Sequence, residues 1–311
     1  MITYLVYDDI YLEHDTGFHP ETPERLRKIV AYLKSQGIWD KLTHLKPRAA
    51  DTREIAYVHA PDYIKAVEAV SAQGGGFLDA DTVLSRRSYE AALYAAGGVL
   101  EAVDAVMKEP QSNALCLVRP PGHHATPTHG MGFCLFNNVA IAARYIQKKH
   151  KLQKVAIIDW DLHHGNGTQD AFYDDPSVLY FSMHRYPYYP GSGSQLENGI
   201  DKGKGYTINR PLDYNVTPKE FIKTFNAVLD NEIKAFQPEF ILISTGFDGY
   251  EEDPLGGLNL SIKDYEILTA KTYSLAQDCC KGRIVSALEG GYSLTGLPLC
   301  VEAHLKGLGA L

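Results

Sequence analysis

The sequence predicts a three-layer α/β domain in which helices cover both faces of a mostly parallel central sheet. Short apolar runs alternate with longer helical patterns along the 311 residues, and several runs lack the polar alternation of a half-exposed strand. Strands buried on both faces have this pattern, and alternation of strands with helices is typical of parallel sheets. Because no low-complexity linker or internal repeat divides the chain, we predict one domain over residues 1–311.

In chain order, six strands are predicted from short apolar runs rich in β-branched residues, at 3–7, 114–118, 154–159, 178–183, 240–244 and 282–287. Longer periodic segments predict helices at 23–36, 89–108, 137–149, 218–235 and 262–280. Proline is favoured in the first turn of a helix, so Pro23 and Pro218 fit the starts of two helices, with Thr22 and Thr217 as their N-caps.

Composition and charge argue against several classes of function. A formal net charge of −8 argues against nucleic-acid binding, which depends on Lys and Arg, but it tolerates a cationic substrate. No segment has the length and apolarity of a membrane span, and the N-terminus does not have the pattern of a secretory signal. We therefore expect a cytoplasmic protein with reduced thiols, because its five cysteines form an odd set without CxxC spacing.

The predicted strand at 154–159 runs directly into two carboxylates and two imidazoles. Asp161 and His163 are two residues apart, so in extended backbone they point to the same side, as two ligands of one ion would. The strand at 240–244 is followed by Asp248, a third potential ligand at the same edge of the sheet. Taken singly, a DxH pair is more often a loop salt bridge, and a lone Asp248 is more often a turn or helix-capping residue. Together they leave one position open on a catalytic zinc ion.

Two further segments add candidates for proton transfer and for oxyanion binding. His123 and His124 follow the rigid Pro120–Gly122 loop and could act as an acid/base pair, although structural histidines are the alternative. Tyr292 follows two glycines that let the chain approach a ligand closely, and its phenol could donate to an oxyanion. Because the chain has 20 tyrosines, a role for Tyr292 as oxyanion donor is predicted only in combination with the other segments.

Together these segments resemble the histone deacetylase and acetylpolyamine amidohydrolase superfamily over nearly the whole chain, which implies the arginase/deacetylase-like fold. The resemblance implies zinc ligands at Asp161, His163 and Asp248, a general base at His124 assisted by His123, and an oxyanion donor at Tyr292. It also implies hydrolytic removal of acetyl or other acyl groups from lysine side chains of proteins or peptides, in which His124 takes a proton from the attacking water.

Other positions indicate the branch of the superfamily. Asp159 resembles the carboxylate that orients one of the tandem histidines, and Asn166 stands where many members have a second Asp, as in class II deacetylases. The segments at 19–25 and 165–169 resemble the same branch. Tyrosine at 292, where some animal class II members carry histidine, implies full activity towards acetyl amides.

The resemblance also implies a substrate tunnel and a second cation. Gly132, Phe133 and Tyr189 match the tunnel walls, although both aromatic residues could be core side chains instead. A structural potassium ion is implied, held by main-chain oxygens and the Ser182 hydroxyl; the carbonyls would come from Asp159, Asp161, His163 and Met183. A carboxylate that grips the substrate backbone at the rim corresponds to Asp79 or Asp81, between which the sequence does not decide.

Three other functions are possible alternatives to a lysine deacetylase, and particular residues distinguish them. An arginase-like site with two manganese ions needs a further DxD motif, but Asp248 is followed by Gly249 and Tyr250. Hydrolysis of an acylated small amine, an acetylpolyamine, is the closer rival. Polyamine-selective members can place an acidic residue where this chain has Leu255, which we count among the substrate-binding residues and which favours acyl-lysine. Glu251 and Glu252 nearby keep the polyamine alternative open. A catalytically silent acyl-lysine binding module would be expected to lack a base or Tyr292, whereas both are present.

Overall fold

The computed structural model describes residues 2–109 and 111–311. Eight parallel strands form the central sheet in the order β2-β1-β5-β10-β9-β6-β7-β8, and β3 and β4 form a separate antiparallel hairpin. The strands are β1 Ile2–Val6, β2 Thr43–Leu45, β3 Gly75–Phe77, β4 Val83–Ser85, β5 Ser112–Cys116, β6 Val155–Asp159, β7 Val178–Arg185, β8 Thr207–Leu212, β9 Phe240–Thr245 and β10 Ile284–Leu288. The predicted α/β class with a parallel sheet is confirmed.

Within the described residues, ten α-helices surround the sheet and connect its strands. They are α1 Glu24–Ser35, α2 Thr52–Ile55, α3 Pro61–Ala72, α4 Ser88–Lys108, α5 Asn138–His150, α6 Asn166–Phe172, α7 Pro218–Val228, α8 Lys234–Phe236, α9 Ile262–Cys280 and α10 Leu297–Gly307. Short 3-10 turns at Asp9–Glu13, Trp39–Lys41 and Asp201–Gly203 complete the connections.

All six predicted strands are present, with ends displaced by at most two residues. The sequence pattern missed β2 and the hairpin strands β3 and β4, which are only three residues long, and the edge strand β8, which contains Asn209, Arg210 and Pro211. An edge strand has only one neighbour, so it tolerates the polar residues and the proline that hide it from a search for apolar runs.

The five predicted helices are present, with two corrections. The helix expected at 218–235 ends as α-helix at Val228 and continues through a π-helical turn at Leu229–Ile233 before α8. Thr217 forms the predicted cap, but α1 begins at Glu24 with Pro23 at the N-cap position. The Thr22 hydroxyl lies 3.5 Å from the Glu24 nitrogen, which is too long for a strong cap.

The register of the four central strands brings their carboxyl ends together. Asp159 at the end of β6 pairs with Ser244 of β9, which pairs with Ala287 of β10, which in turn pairs with Cys116 of β5. These strands are buried along their whole lengths. The polar segments that follow these strands therefore begin at one common edge of a rigid sheet. Open α/β sheets bind their ligands at this edge.

Within the described residues no helix has the length and apolarity needed to cross a bilayer. All five cysteines are free, and only Cys279 is not fully buried.

Candidate active site

Asp161, His163 and Asp248 form a group that could hold a metal ion, with potential ligand atoms all within 4.8 Å of one another. His163 Nδ1 lies 3.2 Å from Asp161 Oδ1 and 3.0 Å from Asp248 Oδ2. The other carboxylate oxygens accept backbone hydrogen bonds, 2.8 Å from Gly290 to Asp161 and 2.9 Å from Leu162 to Asp248. Backbone N–H groups thus orient both carboxylates, and each of the three side chains brings one potential ligand atom to the same small group.

Two buried carboxylates this close repel each other unless a cation lies between them. Burial and the charge of Asp161 raise the pKa of Asp248 above that of an ordinary carboxyl group. A bound divalent cation would relieve this repulsion and would accept two oxygens and one nitrogen, a ligand set that suits zinc and leaves a position open. The residues therefore fit the metal that the sequence predicts.

The tandem histidines have different partners. His123 Nδ1 donates to Asp159 Oδ2 at 3.0 Å, whereas His124 Nδ1 donates to Asn166 Oδ1 at 2.9 Å. Burial acts to lower the pKa of His123, but the charges of Asp161 and Asp159 outweigh it and raise that pKa to about 10. Burial and the neighbouring charge of His123 hold the pKa of His124 well below its usual value. The surroundings of the two rings therefore favour the charged form of His123 and the neutral form of His124.

A narrow cleft of about 210 Å³ leads from the surface to these groups. Its lining includes His123, His124, Gly132, Phe133, His163, Tyr188, Tyr189, Leu255, Tyr292 and Asp81. Edge contacts join Phe133 to Tyr292 at 6.0 Å and Tyr189 to His124 at 5.1 Å between ring centroids. The structure thus brings the four residues predicted to bind substrate, Gly132, Phe133, Tyr189 and Leu255, to one cleft together with the tandem histidines and Tyr292.

Gly132 is required for the shape of the cleft. Its φ is +55°, and a Cβ atom built on it would lie 2.4 Å from Cδ2 of His124. A side chain here would be strained by the backbone and would displace the imidazole. Only glycine leaves room for the ring of His124 beside the tunnel wall.

The two candidate rim carboxylates have different environments. Asp79 accepts hydrogen bonds from the backbone nitrogens of Asp81 and Thr82, so it stabilises the turn between β3 and β4. Asp81 lines the cleft itself. The structure therefore favours Asp81 as the group that could contact a substrate at the mouth.

For the predicted potassium ion, the structure gives proximity alone. Asp159 and Ser182 are register partners in the neighbouring strands β6 and β7, and Met183 follows Ser182 in β7. The Ser182 hydroxyl forms a 2.8 Å hydrogen bond with His184 Nδ1. The predicted oxygens thus come from adjacent segments, and the potassium site stays a prediction.

The chain is similar to proteins of known family. Residues 19–308 match the model of the histone deacetylase domain. The chain belongs to the histone deacetylase family. Membership of this family supports deacetylase activity, that is, hydrolysis of an acyl amide.

Several relatives in the histone deacetylase family resemble this chain. A probable deacetylase of Archaeoglobus fulgidus is 38% identical, over 95% of this chain and 83% of that protein. Human histone deacetylase 7 is 36% identical over 98% of this chain, which spans only 36% of that longer protein. The crystal structure of the HDA15 HD domain has a TM-score of 0.92 and 35% identity, covering 99% of this chain and 90% of that one.

In this member of the histone deacetylase family, a buried network of charges supports the loop that carries Tyr292. Arg25 donates to the carbonyl oxygens of Gly291 and Glu289, both at 2.6 Å, and its guanidinium carbon lies 5.0 Å from the Tyr292 ring centroid. Glu21 pairs with Arg25 at 2.9 Å and with Arg119 at 2.5 Å. All three charged side chains are fully buried.

The sequence analysis assigned no role to Glu21, Arg25, Arg119 or Glu289. Glu21 lies before α1, which begins at Glu24, so its four-residue spacing from Arg25 is not a pair within one helical turn and does not mark the ion pair in the sequence. Glu289 is likewise unmarked, because its partners Ser244, His123 and Gly122 lie 45, 166 and 167 residues away in the chain.

Proposed function

We propose that this protein is a zinc-dependent deacetylase that removes acetyl or other acyl groups from lysine side chains of proteins or peptides. The observation that supports this most is the placement of a neutral buried base, His124, and a phenol, Tyr292, along one narrow cleft whose lining also includes the metal-binding residue His163. A zinc ion held by Asp161, His163 and Asp248 would polarise the acyl carbonyl and acidify the attacking water.

The chain's own residues supply the proton transfers in this proposal. Because His124 donates its Nδ1–H to Asn166, its Nε2 is free to accept a proton from the attacking water. The cationic His123, oriented by Asp159, stabilises the negative charge that develops. Tyr292 donates its phenolic proton as a hydrogen bond to the oxyanion, and the protonated His124 then protonates the departing amine.

The shape and charge of the cleft support a lysine side chain as the substrate. Phe133 and Tyr189 provide apolar aromatic walls that match a four-carbon stem, and Leu255 adds an apolar contact. Glu251 and Glu252 are exposed and do not line the cleft. Among the described residues, the part of their loop that lines the cleft is the apolar Leu255, which suits an uncharged stem better than the second ammonium of a polyamine. The Asn166 partner of His124 supports assignment to the class II branch.

Two further expectations belong to this proposal. A potassium ion at the Asp159–Ser182 strand pair would stabilise the segment that carries the metal ligands, with Asp161, His163 and Met183 supplying carbonyl oxygens. We also propose a cytoplasmic location, for which the free cysteines are the supporting observation.

The test is release of acetate by the zinc-loaded protein from an acetyl-lysine peptide and from acetylspermidine. The proposal expects faster turnover of the peptide. Tyr292→Phe should lower kcat by roughly a hundredfold or more with a small change in KM, as loss of an oxyanion donor does elsewhere. His124→Ala should lower kcat at least as far while zinc content stays at that of the wild type.

Other outcomes would change the assignment. Faster turnover of acetylspermidine would move the proposed substrate from lysine to polyamines. A protein that binds zinc and the acetyl-lysine peptide but cleaves neither substrate would support the alternative of a silent binding module. Activity that survives both substitutions would refute the assigned roles of His124 and Tyr292.

A further inference from the structure

Arg185 ends β7 at the same sheet edge as the candidate active site. Its guanidinium carbon lies 4.5 Å from the ring centroid of Tyr188 and 4.4 Å from that of Tyr214. Tyr188 lines the cleft and stacks on His163, with ring centroids 5.4 Å apart and an interplanar angle of 20°. One aromatic ring therefore separates Arg185 from the cleft, while Tyr214, which is 62% exposed, marks its solvent side.

The loop that carries Leu255 lies against the same guanidinium. A Cβ atom built on Gly257 would lie only 2.5 Å from a terminal nitrogen of Arg185, so the guanidinium lies close to the backbone two residues beyond Leu255. Since Leu255 lines the cleft, Arg185 lies just outside its mouth. The two aromatic contacts and this loop hold the guanidinium in one place.

Arg185 lacks an acidic partner, unlike most arginines of the chain. Arg25, Arg48, Arg119, Arg144 and Arg210 each form an ion pair with a carboxylate. In residues 2–109 and 111–311, the guanidinium of Arg185 has no ion pair and no hydrogen-bond acceptor, although it is only partly exposed. A guanidinium carries five N–H donors, so an ordered one without acceptors is available to a ligand.

The acidic residues on neighbouring segments are engaged elsewhere. Asp253, in the loop that leads to Gly257, accepts backbone hydrogen bonds from Leu255, Tyr292 and Ser293 at 2.9, 2.6 and 3.0 Å. Asp213, beside Tyr214, accepts one from the Asn215 nitrogen. Neither carboxylate neutralises Arg185 within the described part of the chain. The positive charge therefore remains at the mouth of the cleft in an otherwise acidic protein.

We propose that Arg185 binds a carboxylate on the part of the substrate that stays outside the tunnel, next to the acylated lysine. This inference rests on the proposed lysine deacylase function and adds a determinant of specificity to it. A planar guanidinium stacked on aromatic rings presents its N–H edge to a carboxylate with little further loss of side-chain freedom. The carboxylate is that of an acidic side chain flanking the lysine, or the free C-terminus of a chain that ends in acyl-lysine.

The experiment compares peptides that differ only in this carboxylate. One pair has Glu or Gln beside the acetyl-lysine, and a second pair ends in acetyl-lysine with a free or an amidated C-terminus. For at least one pair, the wild type should turn over the acidic member with kcat/KM about fivefold higher, through KM, which corresponds to one partly exposed ion pair. The pair that shows the preference identifies the source of the carboxylate.

Substitutions then assign the preference to Arg185. Arg185→Gln should remove it while kcat/KM for the neutral peptides stays within about twofold of wild type, and Arg185→Glu should reverse it towards a Lys-flanked peptide. Tyr214→Ala, which removes one exposed ring, should weaken it. Arg86→Gln is the matched control and should leave the preference unchanged. Arg86 is exposed, lies just after β4 and has no acidic partner among the residues that the structure describes.

Binding separates failure of this inference from failure of the proposed function. Fluorescence anisotropy of labelled peptides on the His124→Ala protein should show the same preference without turnover, and the double variant with Arg185→Gln should lack it. A wild type that cleaves no peptide would refute the deacylase, and anisotropy would still decide the role of Arg185. Equal affinity for all peptides, or an equal loss for every peptide in Arg185→Gln, would overturn the inference in favour of a packing role.

Discussion

Glu289 accepts a 2.6 Å hydrogen bond from the backbone N–H of Gly122, and this contact joins the loop of Tyr292 to the loop of the tandem histidines. The same carboxylate oxygen lies 3.2 Å from the nitrogen of His123, and the other lies 3.2 Å from the Ser244 hydroxyl. Burial raises the pKa of Glu289 to about 7, although its backbone donors oppose this. One buried carboxyl group thus sets the spacing between the proposed base and the proposed oxyanion donor.

Glu289→Gln should lower kcat by roughly tenfold with little change in KM, because the amide is a weaker acceptor for the Gly122 and His123 nitrogens and shifts His124 relative to Tyr292. Zinc content, measured by mass spectrometry, should not change. Glu197→Gln is the control, since Glu197 also accepts backbone hydrogen bonds, from Gly193 and Ser194, but is not part of the cleft lining. Equal losses in both variants would contradict a positioning role for Glu289.

Glu21 should be a large contributor to stability, because it is the shared counter-charge of two buried guanidinium groups. Removing one partner of a buried ion pair costs about 3–5 kcal/mol, so Glu21→Gln should lower the free energy of unfolding by about 3 kcal/mol. Urea denaturation measures this change. Glu54→Gln, which breaks the more exposed pair with Arg48, should cost less than about 1 kcal/mol. Similar losses of unfolding free energy in the two variants would show that the buried ion pairs contribute no more to stability than the exposed one.

Gly132→Ala should lower kcat by about a hundredfold, since a methyl group would displace the His124 ring and misplacing a reacting group has effects of this size. Gly191→Ala is the control for backbone strain: its φ of +94° is at least as unfavourable for alanine as the +55° of Gly132, but nothing lies within 4 Å of the added Cβ. Both variants should lose thermal stability, and only Gly132→Ala should lose activity. An inactive Gly191→Ala would mean that strain alone, not the clash with His124, is responsible.

His304 makes stability depend on pH. Burial lowers the pKa of its imidazole to about 3, and the neutral ring is hydrogen-bonded to Thr269 and Ser286 at 2.8 and 2.9 Å. Below the unfolded pKa of about 6.5 the unfolded chain binds a proton that the folded chain does not, so the free energy of unfolding falls as pH falls, by about 1.4 kcal/mol per pH unit for this group.

His304→Gln should therefore flatten the dependence of unfolding free energy on pH by about one proton between roughly pH 6 and pH 4. Urea denaturation at several pH values measures the slope. His44→Gln, which alters an exposed imidazole, is the control and should leave the slope as it is in the wild type. An unchanged slope in His304→Gln would show that His304 takes up its proton without unfolding.

The sequence by itself determined the fold class, the six central strands and the candidate residues that follow them. This succeeded because buried parallel strands have continuous apolar sequences, which can be recognised locally. It also succeeded because Asp161, His163 and Asp248 follow such strands closely, and ligands bind at the carboxyl ends of parallel strands. The substrate-binding candidates Phe133 and Tyr189 came from family resemblance, since a tunnel wall and a core aromatic look the same in sequence.

Only the tertiary structure decided what holds these candidates in place. It separated Asp81, which lines the cleft, from Asp79, which caps a turn, and it showed the supporting roles of Glu289 and Arg25. These roles depend on contacts between residues 167 and 266 positions apart. Local periodicity in the sequence indicates which residues are buried. The partner of a buried charge depends instead on how distant segments pack, and periodicity does not indicate this packing.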